Sequence, residues 1–180
     1  MEYNKETKTL IIPYDFDEEL KDLPEETEIM IFEGESSNNY SRFNQPIIIK
    51  TNFNFINYFK VDKYKSILPK NLTHLTFGYS FNKKVDNLPQ NITHLTFGYV
   101  FNQIVDKLPI TIKELSLHCN NNLINNLPEH IEKLFINFYY KIKKVENLPF
   151  TLKEIIIKDE KFKEYIKIPF GCILTIQKIE

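Results

Sequence analysis

Hydrophobic residues return along this chain at an interval of about twenty positions, and prolines mark the interval. Pro24, Pro46, Pro69, Pro89, Pro109, Pro128, Pro149 and Pro169 follow one another at steps of 22, 23, 20, 20, 19, 21 and 20. Leu or Ile precedes every one except Pro46, which follows Gln45. Apolar residues then stand three, six and eight places after the proline: Leu72, Leu75, Phe77; Ile92, Leu95, Phe97; Ile112, Leu115, Leu117; Ile131, Leu134, Ile136; Leu152, Ile155, Ile157. Another stands four places before the next proline, at Val85, Val105, Ile124 and Val145. The first phrase keeps the same offsets with Leu10, Ile12, Phe16, Leu20 and Leu23.

The alternation at six and eight predicts a short strand in each unit, and "THLTF" and "KELSL" are β-branched and apolar as strands prefer. The rest of a unit is too short for a long helix and two loops, so the return must be extended, turned or 3-10. Leu-Pro suits it, because proline fixes its own φ and pushes the preceding residue to an extended conformation. No unit can cover its own Leu and Phe side chains. Stacking on the next unit does, and each buried side chain contributes about 1.5–3 kcal/mol. The pattern therefore predicts a solenoid of stacked units with one parallel sheet.

Two neighbouring units are nearly the same sentence. Pro69–Leu88 reads PKNLTHLTFGYSFNKKVDNL and Pro89–Leu108 reads PQNITHLTFGYVFNQIVDKL, identical at fourteen of twenty positions. This phrase resembles the FNIP repeats, a short leucine-rich-repeat-like family found in giant viruses of the mimivirus group and in social amoebae. The likeness extends over 109–169 and fades over 24–68, where "FNQP" at 43–46 keeps the motif and the next stretch breaks the register. It implies a β-dominated, leucine-rich-repeat-like, right-handed curved solenoid with one parallel β-sheet and extended or 3-10 returns. Residues 1–23 are expected to form an N-terminal cap, 24–68 irregular repeats with a strand at Ile47–Lys50, 69–169 regular repeats, and 170–180 a capping strand, about eight units in one domain. In amoebal members an F-box often precedes the repeats. Here the first phrase starts near Leu10, so the resemblance implies a recognition domain rather than a ligase-docking subunit.

Residues between the buried positions form columns on the open face of the sheet. One reads His74, His94, Glu114, Lys133, Glu154; the next Thr76, Thr96, Ser116, Phe135, Ile156; a third Gly78, Gly98, His118, Asn137, Lys158. This variety is what a protein-binding face needs, with Phe135 and Ile156 as apolar anchors. Asn82, Asn102 and Asn122 recur after the strand and are expected to form a structural ladder, each amide bonding backbone of the next rung. Phe81 and Phe101 beside them are read as core. His74, His94, His118 and Cys119 raise the question of zinc, with Glu114 on the third rung. Yet the first two histidines belong to one duplicated phrase, so their pairing needs no metal, and no metal or cofactor is expected. The sequons at 39–41, 71–73 and 91–93 are expected to stay unmodified.

Composition narrows the remaining classes. The 180 residues are 42% hydrophobic and 26% charged, enough to fold one domain. No apolar run reaches the ~18–20 residues of a membrane span, the N-terminus lacks a secretory h-region, and two cysteines make no disulfide framework. A cytoplasmic protein without membrane contact is expected. Phosphate-cradling Gly-rich loops, nucleophile elbows and Cys-x-x-Cys pairs are absent. The stretch 141–167 has eight Lys against five acids and no Arg, which disfavours a nucleic-acid role. Charge is unevenly spread: residues 1–35 carry twelve acids and three Lys, a net of −9, and the remainder carries +8. The expected function is non-catalytic recognition of a protein partner through the open face, a host protein if the chain is viral. The alternative is self-association of acidic and basic ends, with a metal enzyme a distant third.

Overall fold

The computed structural model describes residues 1–13, 22–33, 68–78, 81–86, 88–118, 123–138 and 143–177. Among these residues nine strands form one sheet in chain order: β1 (Glu2–Asn4), β2 (Thr9–Ile12), β3 (Ile29–Phe32), β4 (His74–Thr76), β5 (His94–Thr96), β6 (Glu114–His118), β7 (Lys133–Asn137), β8 (Glu154–Ile157) and β9 (Ile173–Ile176). Every pairing from β2 to β9 is parallel. β1 alone runs antiparallel to its neighbour, in the hairpin Glu2↔Ile11, Tyr3↔Leu10, Asn4↔Thr9. Its turn is set by Asn4, whose side-chain oxygen accepts from the N–H groups of Glu6 (3.0 Å) and Thr7 (3.1 Å).

Among the described residues, each proline from Pro24 onward opens a tight turn into its strand. Its carbonyl accepts from the N–H three residues on: Thr27 to Pro24 (3.1 Å), Leu72 to Pro69 (3.1 Å), Ile112 to Pro109 (3.0 Å), Leu152 to Pro149 (3.3 Å) and Cys172 to Pro169 (3.1 Å). The ring fixes φ at the start of the turn, and the third residue drops into the core. Only Gly171 needs a left-handed backbone in these turns, at φ 79°. Returns contain little regular structure. 3-10 segments occur at Ile124–Asn126 and Glu160–Tyr165, and an isolated parallel bridge, Val145↔Ile166, joins two returns on the far side.

Leu72, Ile92, Ile112, Ile131, Leu134, Ile155 and Phe97 are all fully buried, and the core runs unbroken from Leu10 to Ile166. Aromatic rings line part of it. Phe77 stacks on Phe81 (3.9 Å) within a rung and on Phe97 (5.5 Å) in the next; Phe97 stacks on Phe101 (3.7 Å). Burial falls at the last rung, where Cys172, Leu174 and Ile176 are only half-buried.

The irregular stretch changes the count of rungs. β3 pairs directly with β4, Met30 opposite Leu75, so equivalent positions lie 45 residues apart there and 20 apart in the next rung. Ile47–Lys50, named above as a strand, lies outside the described residues, as do Phe16 and Leu20.

Truncation of a central rung should be costly. Phe97→Ala should lower unfolding free energy by about 3–5 kcal/mol, and Leu174→Ala on the half-buried last rung by clearly less. Urea titrations of both variants check this.

Candidate recognition face

The strands alternate buried and half-buried residues, and the half-buried ones share one side of the sheet. Register places Thr9, Ile29, His74, His94, Glu114, Lys133, Glu154 and Ile173 in one row. Ile11, Ile31, Thr76, Thr96, Ser116, Phe135, Ile156 and Thr175 form the row beside it. The sequence reading missed the apolar Ile11, Ile29 and Ile31. Their signals were the runs "LII" at 10–12 and "IMIF" at 29–32, apolar on both faces.

Most members of the first row are engaged with one another. The His74 and His94 rings stack at 3.9 Å, and each Nδ1 meets the hydroxyl of the preceding threonine, Thr73 or Thr93, at 2.8 Å. His94 Nε2 lies 3.4 Å from Glu114 Oε1. Lys133 is 3.4 Å from Glu154 and 5.4 Å from the Phe135 ring centroid, and Thr175 donates to Glu154 at 2.8 Å. That hydroxyl, then Lys133, holds the Glu154 carboxyl below its ordinary pKa. Burial, then the neighbouring His94, depresses His74. Among the described residues no group of three or more His, Cys, Asp or Glu is arranged to hold a metal ion; Cys119 lies outside them.

The second row is different. The hydroxyls of Thr76, Thr96 and Ser116 make no hydrogen bond among the described residues. Phe135 is half-buried beside them. Ile156, read as an exposed anchor, is 8% exposed, because Phe135 and Thr175 flank it in register on either side. In the third column Gly78 is buried, and Gly98, His118, Asn137 and Lys158 are half-buried. Burial, reinforced by Lys158, pushes the His118 imidazole down to about 4.

Backbone-to-side-chain ladders run beside the face. Asn82 Oδ1 accepts from Asn102 N (2.8 Å) and Gln103 Nε2 (2.9 Å), and Asn125 Oδ1 accepts from Glu146 N (3.3 Å). Asn122 lies outside the described residues. A second ladder uses the sequons. Asn71 donates to the Glu25 carbonyl (3.2 Å) and Asn91 to that of Lys70; Thr73 and Thr93 each donate at 3.2 Å to the carbonyls of Glu28 and Thr73. "NLT" and "NIT" are thus rung-to-rung fasteners, which the recurrence of Asn-x-Thr at fixed offset could have signalled. Farther along, Lys113, Glu132 and Lys153 continue the threonine column as an alternating ion-pair row. Exposed apolar side chains also stand on the proline turns: Ile110, Phe150 and Phe170 each follow a proline, at 70%, 77% and 104% exposure.

The FNIP repeat family model matches residues 64–87 and 84–120. FNIP repeats are thus matched over residues 64–120. A search of the curated proteins gave no match. Among solved structures the chain is similar to CroV588, a giant-virus protein described as a novel circular LRR protein, with a TM-score of 0.54 and 23% identity. The likeness covers 95% of this chain and 27% of that one, so the chain spans about a quarter of its neighbour. The shared feature is the fold, an LRR-like β-solenoid with a mostly parallel sheet and little helix. Such repeat folds are typical of protein-interaction modules. Among the described residues no helix is long and apolar enough to cross a membrane.

Two outcomes follow. Asn82→Ala removes one acceptor from two donors on the next rung and should cost about 1–2 kcal/mol in denaturant unfolding. The His118 ring should titrate near 4 by NMR. Because its folded pKa lies below the ordinary value near 6.5, stability contributed by the neutral ring is complete above that value and is lost as pH falls from there towards 4. A stability-versus-pH series should show this loss diminished in His118→Gln.

Proposed function

We propose that the chain is a non-catalytic recognition module that takes a protein partner on the open face of its sheet. The observation that carries this reading is the row of three unengaged hydroxyls, Thr76, Thr96 and Ser116, ending at Phe135. Rungs about 4.8 Å apart set these groups at even intervals, where they can bond a partner's polar groups while the phenyl ring supplies apolar contact. The charged residues of the neighbouring row are paired among themselves, so they fix the partner's position more than they attract it. FNIP and LRR-like repeats are generally non-enzymatic, which supports the same reading.

Partner capture from native extract tests it. A Thr96→Arg/Phe135→Glu variant, with circular dichroism unchanged, should retain at least about tenfold less of a specific partner than the parent chain. Equal retention by both proteins contradicts the reading. Ile156 is left intact, since a charge at a nearly closed position would threaten the fold itself.

A further inference from the structure

The first open-face row is short of donors at one place, and the threonines beside it show where. Thr73 Oγ1 lies 3.2 Å from the Glu28 carbonyl and 2.8 Å from His74 Nδ1. Thr93 Oγ1 stands at the same two distances from the Thr73 carbonyl and His94 Nδ1. A hydroxyl has one proton, and a carbonyl can only accept it. With that proton on the carbonyl, both contacts are hydrogen bonds only when each Nδ1 carries a hydrogen and donates it to the hydroxyl oxygen. A neutral imidazole protonated at Nδ1 has a bare lone pair at Nε2. The duplicated phrase sets this geometry on two successive rungs.

Two lone pairs therefore stand side by side, on rings stacked at 3.9 Å with 13° between their planes. His94 Nε2 faces Glu114 Oε1 at 3.4 Å, where the neutral ring has no proton to give. Among the described residues neither His74 Nε2 nor the Glu114 carboxylate meets another donor. Lys8 on one side is held by Glu28, and Lys133 on the other by Glu154. The place is open to a visitor, the His94 and Glu114 side chains being 40% and 36% exposed. A metal ion does not fit it: each lone pair lies in the plane of its own ring, and nearly parallel planes do not converge on one ion.

We infer that His74, His94 and Glu114 receive an arginine side chain of the protein partner, its guanidinium lying across the two ring edges and reaching the carboxylate. Arginine is the side chain that fits: it has only donors, and its planar fork offers parallel N–H groups to parallel lone pairs. Its fixed positive charge meets the one carboxylate of the row that no lysine holds, which makes the bond charge-assisted. The hydroxyls of Thr76 and Thr96 stand in the adjacent row on the same two rungs, so the docked side chain arrives beside the polar groups already assigned to the partner. The inference rests on the recognition reading and adds to it the chemistry of the partner's contact residue.

NMR on the 180-residue chain at about pH 8, where imidazoles are neutral, tests this in two steps. Long-range proton–nitrogen spectra read the tautomers, and His74 and His94 should both carry the hydrogen at Nδ1. N-acetyl-arginine amide is then titrated in. It should move the ring signals of His74 and His94 saturably and leave those of His118 and His130 in place. The lysine analogue should need at least about threefold more to do the same, and the neutral citrulline analogue should leave all four rings unmoved. Glu114→Gln should weaken the arginine response about fivefold or more. A hydrogen on Nε2 of either ring, no response to arginine, or an equal response to either analogue overturns the inference. None of these results touches the recognition reading itself, which falls only if Thr96→Arg/Phe135→Glu retains the captured partner as the parent chain does.

Discussion

A unit of about twenty residues has no interior of its own, and everything else in this protein follows from that constraint. Its strand of three to five residues has one apolar side, and only the flat flank of another unit can cover it. Leu95 or Leu115 reaches complete burial because rungs lie on both sides. The same rule explains why the last rung is half-covered and why the amino-terminal rung lies under a strand that folds back on it. The proline turns serve stacking as well, returning each chain to the same height so that every strand meets its neighbour in register.

Polar groups obey the constraint in another form. A parallel sheet of short strands satisfies few backbone groups per rung, and side chains supply the remainder. Asn71, Asn91, Thr73, Thr93, Asn82 and Asn125 each bond backbone one rung away, so the ladders add directional hydrogen bonds to a core that is otherwise non-directional. These bonds fix spacing, and fixed spacing makes the open face regular. The first open-face row uses its charges to hold neighbours together, while the hydroxyls of the second row make no hydrogen bond among the described residues. On the proposed reading, structural and recognition roles are divided between adjacent columns of one sheet.

Much of this was legible because the repeat is written in side-chain type. Offsets of three, six and eight from proline named the buried positions of the regular rungs, and alternation named the open-face rows. Three features did not show. Ile156 stands in an open-face column yet is closed by its flanking neighbours, a packing effect that periodicity does not encode. The direct pairing of β3 with β4 depends on long-range register, and the residues between them keep only "FNQP" of the repeat before the pattern breaks. The reversal of β1 is set by one Asn side chain in a polar turn, where the hydrophobic pattern is silent.

Amide hydrogen exchange followed by NMR tests rung stacking most directly. If rungs are covered only by one another, the N–H groups of Thr93, Lys113, Glu132 and Lys153, which donate to the preceding rung, should open only with global unfolding, and protection should fall steadily towards β1 and β9. Central amides exchanging as fast as those of the terminal turns would contradict it, because each rung would then be opening on its own.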